Sequence, residues 1–134
     1  MGPWRSRTIG VALAMPPDPV YQFVRNLHNL PHWAAGLCQS IACIDGAWIA
    51  QTAAGPLRIE FAPLNPFGVL DHTVTLPDGQ QVYVPLRVIA NGSGSEILFT
   101  LLQTPSLDDR QFAADAAQVE ADLLRLKALL EFGS

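Results

Sequence analysis

The sequence predicts an α+β fold in which an antiparallel sheet of about seven strands packs along one long C-terminal helix, with two short helices after the first strand. Three observations carry this. Alternating apolar segments recur from residue 37 onward, separated by turn dipeptides such as Asp45-Gly46 and Asp78-Gly79. The final segment repeats apolar residues at alternating spacings of four and three, the signature of a helix with one buried face. Between the first strand and the alternating region lies a proline-rich stretch that permits only brief helices.

In chain order, "RTIGVAL" places Ile9, Val11 and Leu13 on one face of a first strand. "MPPDPVYQFVRNL" then starts a helix, with Asp18 as the expected N-cap, Pro19 at the first helical position and Val20, Phe23, Val24 and Leu27 as its apolar stripe. Pro31 in "HNLPHWAAG" keeps a second helix short. Six strands follow: "LCQSIACI", "AWIAQT", "PLRIEFA", "VLDHTVTL", "QVYVPLRVIA" and "SEILFTLLQ". Ser106 with Asp109 three residues on resembles a capping box, and Phe112, Ala116, Val119, Leu123, Leu126 and Leu130 form the stripe of the closing helix. That stripe needs an extended surface to pack against, and the sheet is the only candidate.

A chain of 134 residues supports one domain over 1–134, with no linker or internal repeat. Hydrophobic residues make up 49% and charged residues 15%, which excludes a disordered chain and leaves apolar surface for a cavity or an interface. A net charge of −4 without a Lys/Arg cluster argues against nucleic acid as a partner. No apolar run approaches the roughly 20 residues of a membrane span, so membrane insertion is not expected. The N-terminus lacks the apolar core of a secretory signal, and a cytoplasmic location is expected. Cys38 and Cys43, an odd number of strand positions apart, face opposite ways and read as two reduced thiols.

The opening "IGVALAMPPDPVYQFVRNLHNLPHW" and the closing "GSGSEILFTLLQTPSLDDRQFAADAAQVEADLLRLKALLE" together resemble the START, birch-pollen-allergen and polyketide-cyclase superfamily (SRPBCC), in its smaller bacterial form. The resemblance spans nearly the whole chain and is topological. It implies the helix-grip fold, a curved sheet wrapped around the last helix, with a cavity between them that commonly holds an apolar or amphipathic small molecule. The iron-cluster and mononuclear-iron motifs of the oxygenase branch are absent, and no cofactor is implied.

The residues that bear chemistry lie chiefly in "VLDHTVTL" and the strand after it. If Asp78-Gly79 is a two-residue turn, Val74 pairs with Tyr83, His72 with Pro85 and Leu70 with Arg87. A two-residue turn in "NGSG" puts Val84, Leu86 and Val88 on one face with Ile97, Phe99 and Leu101, the most apolar face and hence the inner one. Asp71, Thr73 and Thr75 then point inward, while His72, Tyr83 and Arg87 point outward. A bulge at Pro85 or a slip of one residue reverses this and makes His72 the acid/base candidate. Arg87 and Glu96 form an exposed cross-strand pair on this register, although an inward Arg87 would anchor a ligand carboxylate.

Candidate ligand-binding residues are therefore Trp33, Asp71, His72, Thr73, Tyr83 and Arg87; none is assigned as catalytic. His28 and His32 have helical ligand spacing, but Pro31 spoils the geometry and no metal is expected. An outward apolar set, Leu70, Val74, Tyr83, Ile89, Leu98 and Leu102, and an alanine face at Ala114, Ala117, Ala121 and Ala128 predict a homodimer. The leading functional expectation is binding of a small hydrophobic or amphipathic ligand between sheet and helix. One alternative is a cyclase or dehydratase in which Asp71 or His72 is acid/base and Tyr83 or Arg87 polarises a carbonyl. The other is an interaction module with a solid interior.

Overall fold

The computed structural model describes residues 2–35 and 38–133. Strand β1 (Ser6–Leu13) leads into helix α1 (Pro17–Arg25), a 3-10 turn at Leu27–Asn29 and the single-turn helix α2 (Leu30–Trp33). Strands β2 (Ser40–Ile44), β3 (Ala47–Thr52), β4 (Gly55–Phe61), β5 (His72–Thr75), β6 (Gln81–Val84), β7 (Leu86–Asn91) and β8 (Gly94–Leu102) follow, and helix α3 (Asp109–Phe132) closes the chain. The expected start of β2 at Leu37 lies outside the described residues. Two antiparallel sheets have the orders β2-β3-β4-β5-β6 and β1-β8-β7. Their junction is Pro85, which lacks the N–H needed to continue the ladder and so divides one expected strand into β6 and β7.

The division does not change parity. Val84 and Leu86 on either side of Pro85 are both buried, and β7 pairs with β8 so that Leu86 faces Phe99 and Val88 faces Ile97. The inner face therefore contains Val84, Leu86, Val88, Ile97 and Phe99, as the apolar alternation implies. Both α-helix starts differ from expectation by a few residues. Helix α1 begins at Pro17 behind Pro16 with no side-chain cap, and α3 is capped by Asp108 and Gln111 rather than Ser106 and Asp109. Prolines at 16 and 17 preset the helical φ, which removes the need for Asp18 at the cap.

Helix α3 lies against β1 and α2 with Phe112, Ala116, Leu123 and Leu126 buried. Its C-terminal end is fastened to β1: Lys127 Nζ donates to the Ala12 carbonyl and to Glu131, and Glu131 accepts the Ala14 N–H. On the other flank, Gly68 has φ 71°, and a Cβ there would collide with the Val88 carbonyl oxygen. Its own carbonyl accepts the Val88 N–H at 2.9 Å, so glycine is what lets the chain before β5 lie along β7.

The β5–β6 hairpin departs from the expected register by one residue. Leu76 N–H donates to the Gln80 carbonyl, enclosing the three-residue loop Pro77-Asp78-Gly79, and Thr73 faces Tyr83. A two-residue turn would make Pro77 and Gln80 the closing pair and demand an N–H that Pro77 does not have. The contrast with Asp45-Gly46 is direct: there Ile44 faces Ala47 across a true two-residue turn, with both turn residues at positive φ. The slip turns Leu70, His72 and Val74 inward and Asp71, Thr73 and Thr75 outward, the reverse of the expected orientation. Of the expected outer apolar set, Leu70 is thus a core residue at 2% exposure, whereas Tyr83 and Ile89 remain exposed.

Candidate functional site

Opposite Pro85 the ladder is held by side chains. Leu70 N–H donates to the Leu86 carbonyl at 2.8 Å, but the Leu86 N–H goes to Asp71 Oδ1 at 2.9 Å. The Leu70 carbonyl, left without that partner, meets His72 Nδ1 at 3.0 Å. Asp71 and His72 thus occupy adjacent positions because each supplies one half of the backbone bond missing beside the proline. Their side chains leave the strand on opposite faces.

On the outer face the Asp71 carboxylate accepts Arg87 Nε at 3.0 Å, Arg87 Nη2 at 2.8 Å and the Tyr83 hydroxyl at 2.7 Å. This two-pronged pairing, with the Tyr83 and Leu86 donors, holds the Asp71 carboxyl far below the usual carboxylate range despite its burial. Such a group is a poor proton acceptor. Arg87 is ion-paired with Asp71, not with Glu96 as the earlier register implied. The Asp71 carboxylate in turn keeps the Tyr83 phenol above its ordinary range.

On the inner face, a cavity of about 230 Å³ lies between the sheet and α3. Leu27, Leu30 and Trp33 close one end, Leu57, Ile59, Phe61, Val74, Val84, Leu86, Phe99 and Leu101 form the sheet wall, and Val119 and Leu123 the helix wall. His72, Asp115, Gln118 and Asp122 are its polar lining. The His72 bond to a carbonyl requires a proton on Nδ1 and leaves Nε2 as an acceptor. Burial pushes the imidazole below its ordinary value, and the Phe61 ring packs edge-on against it at 5.0 Å. An NMR pH titration of the ring carbons is expected to place His72 below the usual imidazole value near 6.5. A midpoint at or above that value would rule out a buried neutral acceptor.

Trp33 Nε1 is buried and has no hydrogen-bond partner among the described residues. Asp122, 6% exposed, accepts Gln118 Nε2 at 2.9 Å and Arg125 Nη1 at 3.3 Å. Desolvation raises the carboxyl of Asp115, about two turns nearer the helix start. The cavity thus combines apolar walls with the His72 imidazole and the polar side chains of α3.

Of the six residues singled out from sequence, Trp33 and His72 line the cavity, while Asp71, Thr73, Tyr83 and Arg87 stand on the other side of the sheet. The pairing of a cavity acid/base with Tyr83 or Arg87 as carbonyl polariser is therefore not assembled. Asp115, Gln118 and Asp122 were not singled out. Their signal was present, since spacings of three and four place them in one line beside the stripe of Phe112, Ala116, Val119 and Leu123. His28 packs edge-on to Trp48 at 4.8 Å, and no group of three potential metal ligands occurs among the described residues. Cys38, a buried thiol directed at the Ser40 carbonyl, and the exposed Cys43 are both free.

The same arrangement of sheet and grip helix occurs in solved structures. Aha1 from Colwellia psychrerythraea, solved as a dimer, superposes with a TM-score of 0.75 at 16% identity over 97% of this chain and 98% of its own. Ara h 8.0201 matches with a TM-score of 0.66 at 13% identity, covering 92% of this chain and 95% of its own. The chain has the helix-grip fold. DynU16, from the dynemicin biosynthetic locus, superposes with a TM-score of 0.74 at 18% identity over 96% of this chain. This helix-grip chain spans 48% of DynU16's length. No family model matches the sequence, and no curated protein matches it. Among the described residues no helix is long and apolar enough to cross a membrane.

Proposed function

We propose that this helix-grip chain, acting as one unit over 1–134 in the cytoplasm, binds a small hydrophobic or amphipathic molecule between its sheet and α3. The observation that carries this reading is the apolar cavity of about 230 Å³ between the sheet and α3, with Trp33 and His72 in its lining. The volume sets the size class. An apolar cavity of about 150 Å³ takes one benzene ring, so this one takes a substituted ring or a chain of about nine carbons. Sterols and phospholipids are too large.

Native mass spectrometry of gently purified protein, followed by organic extraction, tests this reading. A small adduct is expected, lost in Val119→Phe, whose ring would occupy the cavity from the helix wall, while the far-ultraviolet circular dichroism is unchanged. An adduct that survives the substitution, or a chain that carries none and takes up no small apolar probe, would exclude the cavity as the site. The same spectra report the oligomeric state. We expect a homodimer, supported by the exposed Tyr83 and Ile89 on the outer sheet face and by Phe67, 77% exposed, which borders the same surface recess as Ile89.

A further inference from the structure

His72 brings to the cavity a ring nitrogen that has no partner among the described residues. Its cross-strand neighbours Phe61 and Val84 both line the cavity, so the imidazole leaves β5 on that face. The two ring nitrogens point away from each other, and Nδ1 turns back to the Leu70 carbonyl at 3.0 Å. Nε2 is thereby directed away from its own strand. It is not sealed in the core, where the unpartnered side-chain polar atoms among the described residues are Trp33 Nε1 and the Ser95 hydroxyl. It opens instead on the space between the sheet and α3.

The surroundings make this nitrogen an acceptor. The Leu70 carbonyl holds the ring's proton on Nδ1, and a ring turned over would set a carbon against that carbonyl. The Phe61 ring, edge-on at 5.0 Å, opposes such a turn. Burial lowers the imidazole's proton affinity and keeps it neutral at pH 7. The other polar lining residues are Asp115, Gln118 and Asp122, while Arg25 and Arg58 border a neighbouring recess that shares Leu27, Ile59 and Phe61 with the cavity. No cation lines the cavity itself. A carboxylate ligand would therefore meet an acceptor and two carboxyls without a counter-charge, and a ketone or ether would bring a second acceptor to Nε2.

We infer that the cavity's ligand carries a neutral hydroxyl that donates to His72 Nε2, which makes it a phenol or alcohol of single-ring size and not a carboxylate, ketone or ether. The inference rests on the ligand-binding reading above and narrows it by functional group. The hydroxyl is the ligand's polar end, and its apolar remainder lies against Ile59, Leu86 and Leu123. Size is set by the cavity walls, and the choice of functional group by one nitrogen.

Isothermal titration of the full chain with p-cresol, toluene and p-toluate tests it, because the three share one ring and differ only in the group opposite the methyl. Wild type is expected to bind p-cresol about tenfold more tightly than toluene, as one hydrogen bond provides, and p-toluate more weakly than either. In His72→Phe the preference for p-cresol disappears while toluene still binds, which a folding defect would not produce. Should that variant not fold, nitrogen NMR of the wild type decides: p-cresol is expected to move the His72 Nε2 resonance, and toluene to leave it in place. Equal affinities for p-cresol and toluene, tightest binding of p-toluate, a preference that survives His72→Phe, or an unmoved Nε2 resonance with p-cresol bound would overturn the hydroxyl contact and leave the cavity standing. If none of the three binds wild type, the cavity reading and the hydroxyl contact fall together.

Discussion

Asp71→Ala is expected to lower the unfolding free energy by about 2–3 kcal/mol at pH 7, a large effect for a residue on the sheet's outer side. The main contribution is the Leu86 N–H, buried opposite a proline and left with no acceptor once the carboxylate is gone. Arg87 and Tyr83 are each about half exposed, at 51% for the Arg87 side chain and 52% for Tyr83, so both can turn to water and their loss counts for less. Acid adds a second test. The native carboxyl is held well below the unfolded value near 3.9, so its stabilisation is fully present above that pH and declines as pH falls below it. Urea unfolding at pH 7 and pH 3 should therefore show wild type and variant converging in acid. A difference under about 1 kcal/mol at pH 7, or one that persists unchanged at pH 3, would mean Asp71 does not bridge the break.

Leu126→Ala on the grip helix is expected to cost about 3–4 kcal/mol, because its side chain is fully enclosed in the core shared with β1 and its removal leaves a void. Leu124, two positions earlier and 52% exposed, provides the control: Leu124→Ala should change stability by about 0.5 kcal/mol or less. Chemical denaturation of both variants measures how strongly the sheet holds one face of α3. Similar losses from the two substitutions would contradict the helix orientation.

Local pattern reached the grip helix and its buried face, and it reached the inner face of β7 and β8, because a two-residue turn at Gly92-Ser93 satisfies both of its closing residues. The same reasoning misplaced Asp71 and His72 through one residue. Taking Asp78-Gly79 as a two-residue turn makes Pro77 a closing residue, a role its missing N–H bars, and the shift carries through every position back to Leu70. The rule that would have corrected it is local, so the orientation of His72 was in principle legible.

Other parts of the site have no local sign. Nothing around Trp33 indicates that its Nε1 is buried without a partner, since that depends on what α3 and the sheet place against it. Arg25 and Arg58 are 33 positions apart and each reads alone as a solvated charge. They border one recess only through the placement of α1 beside β4. The sequence by itself determined the order of the elements and the buried faces of α3, β7 and β8, because hydrophobic period, proline and turn chemistry act within a few residues. The tertiary structure alone decided which polar groups border the cavity and its neighbouring recess, because that depends on where separate elements stop and on what then faces the space they leave.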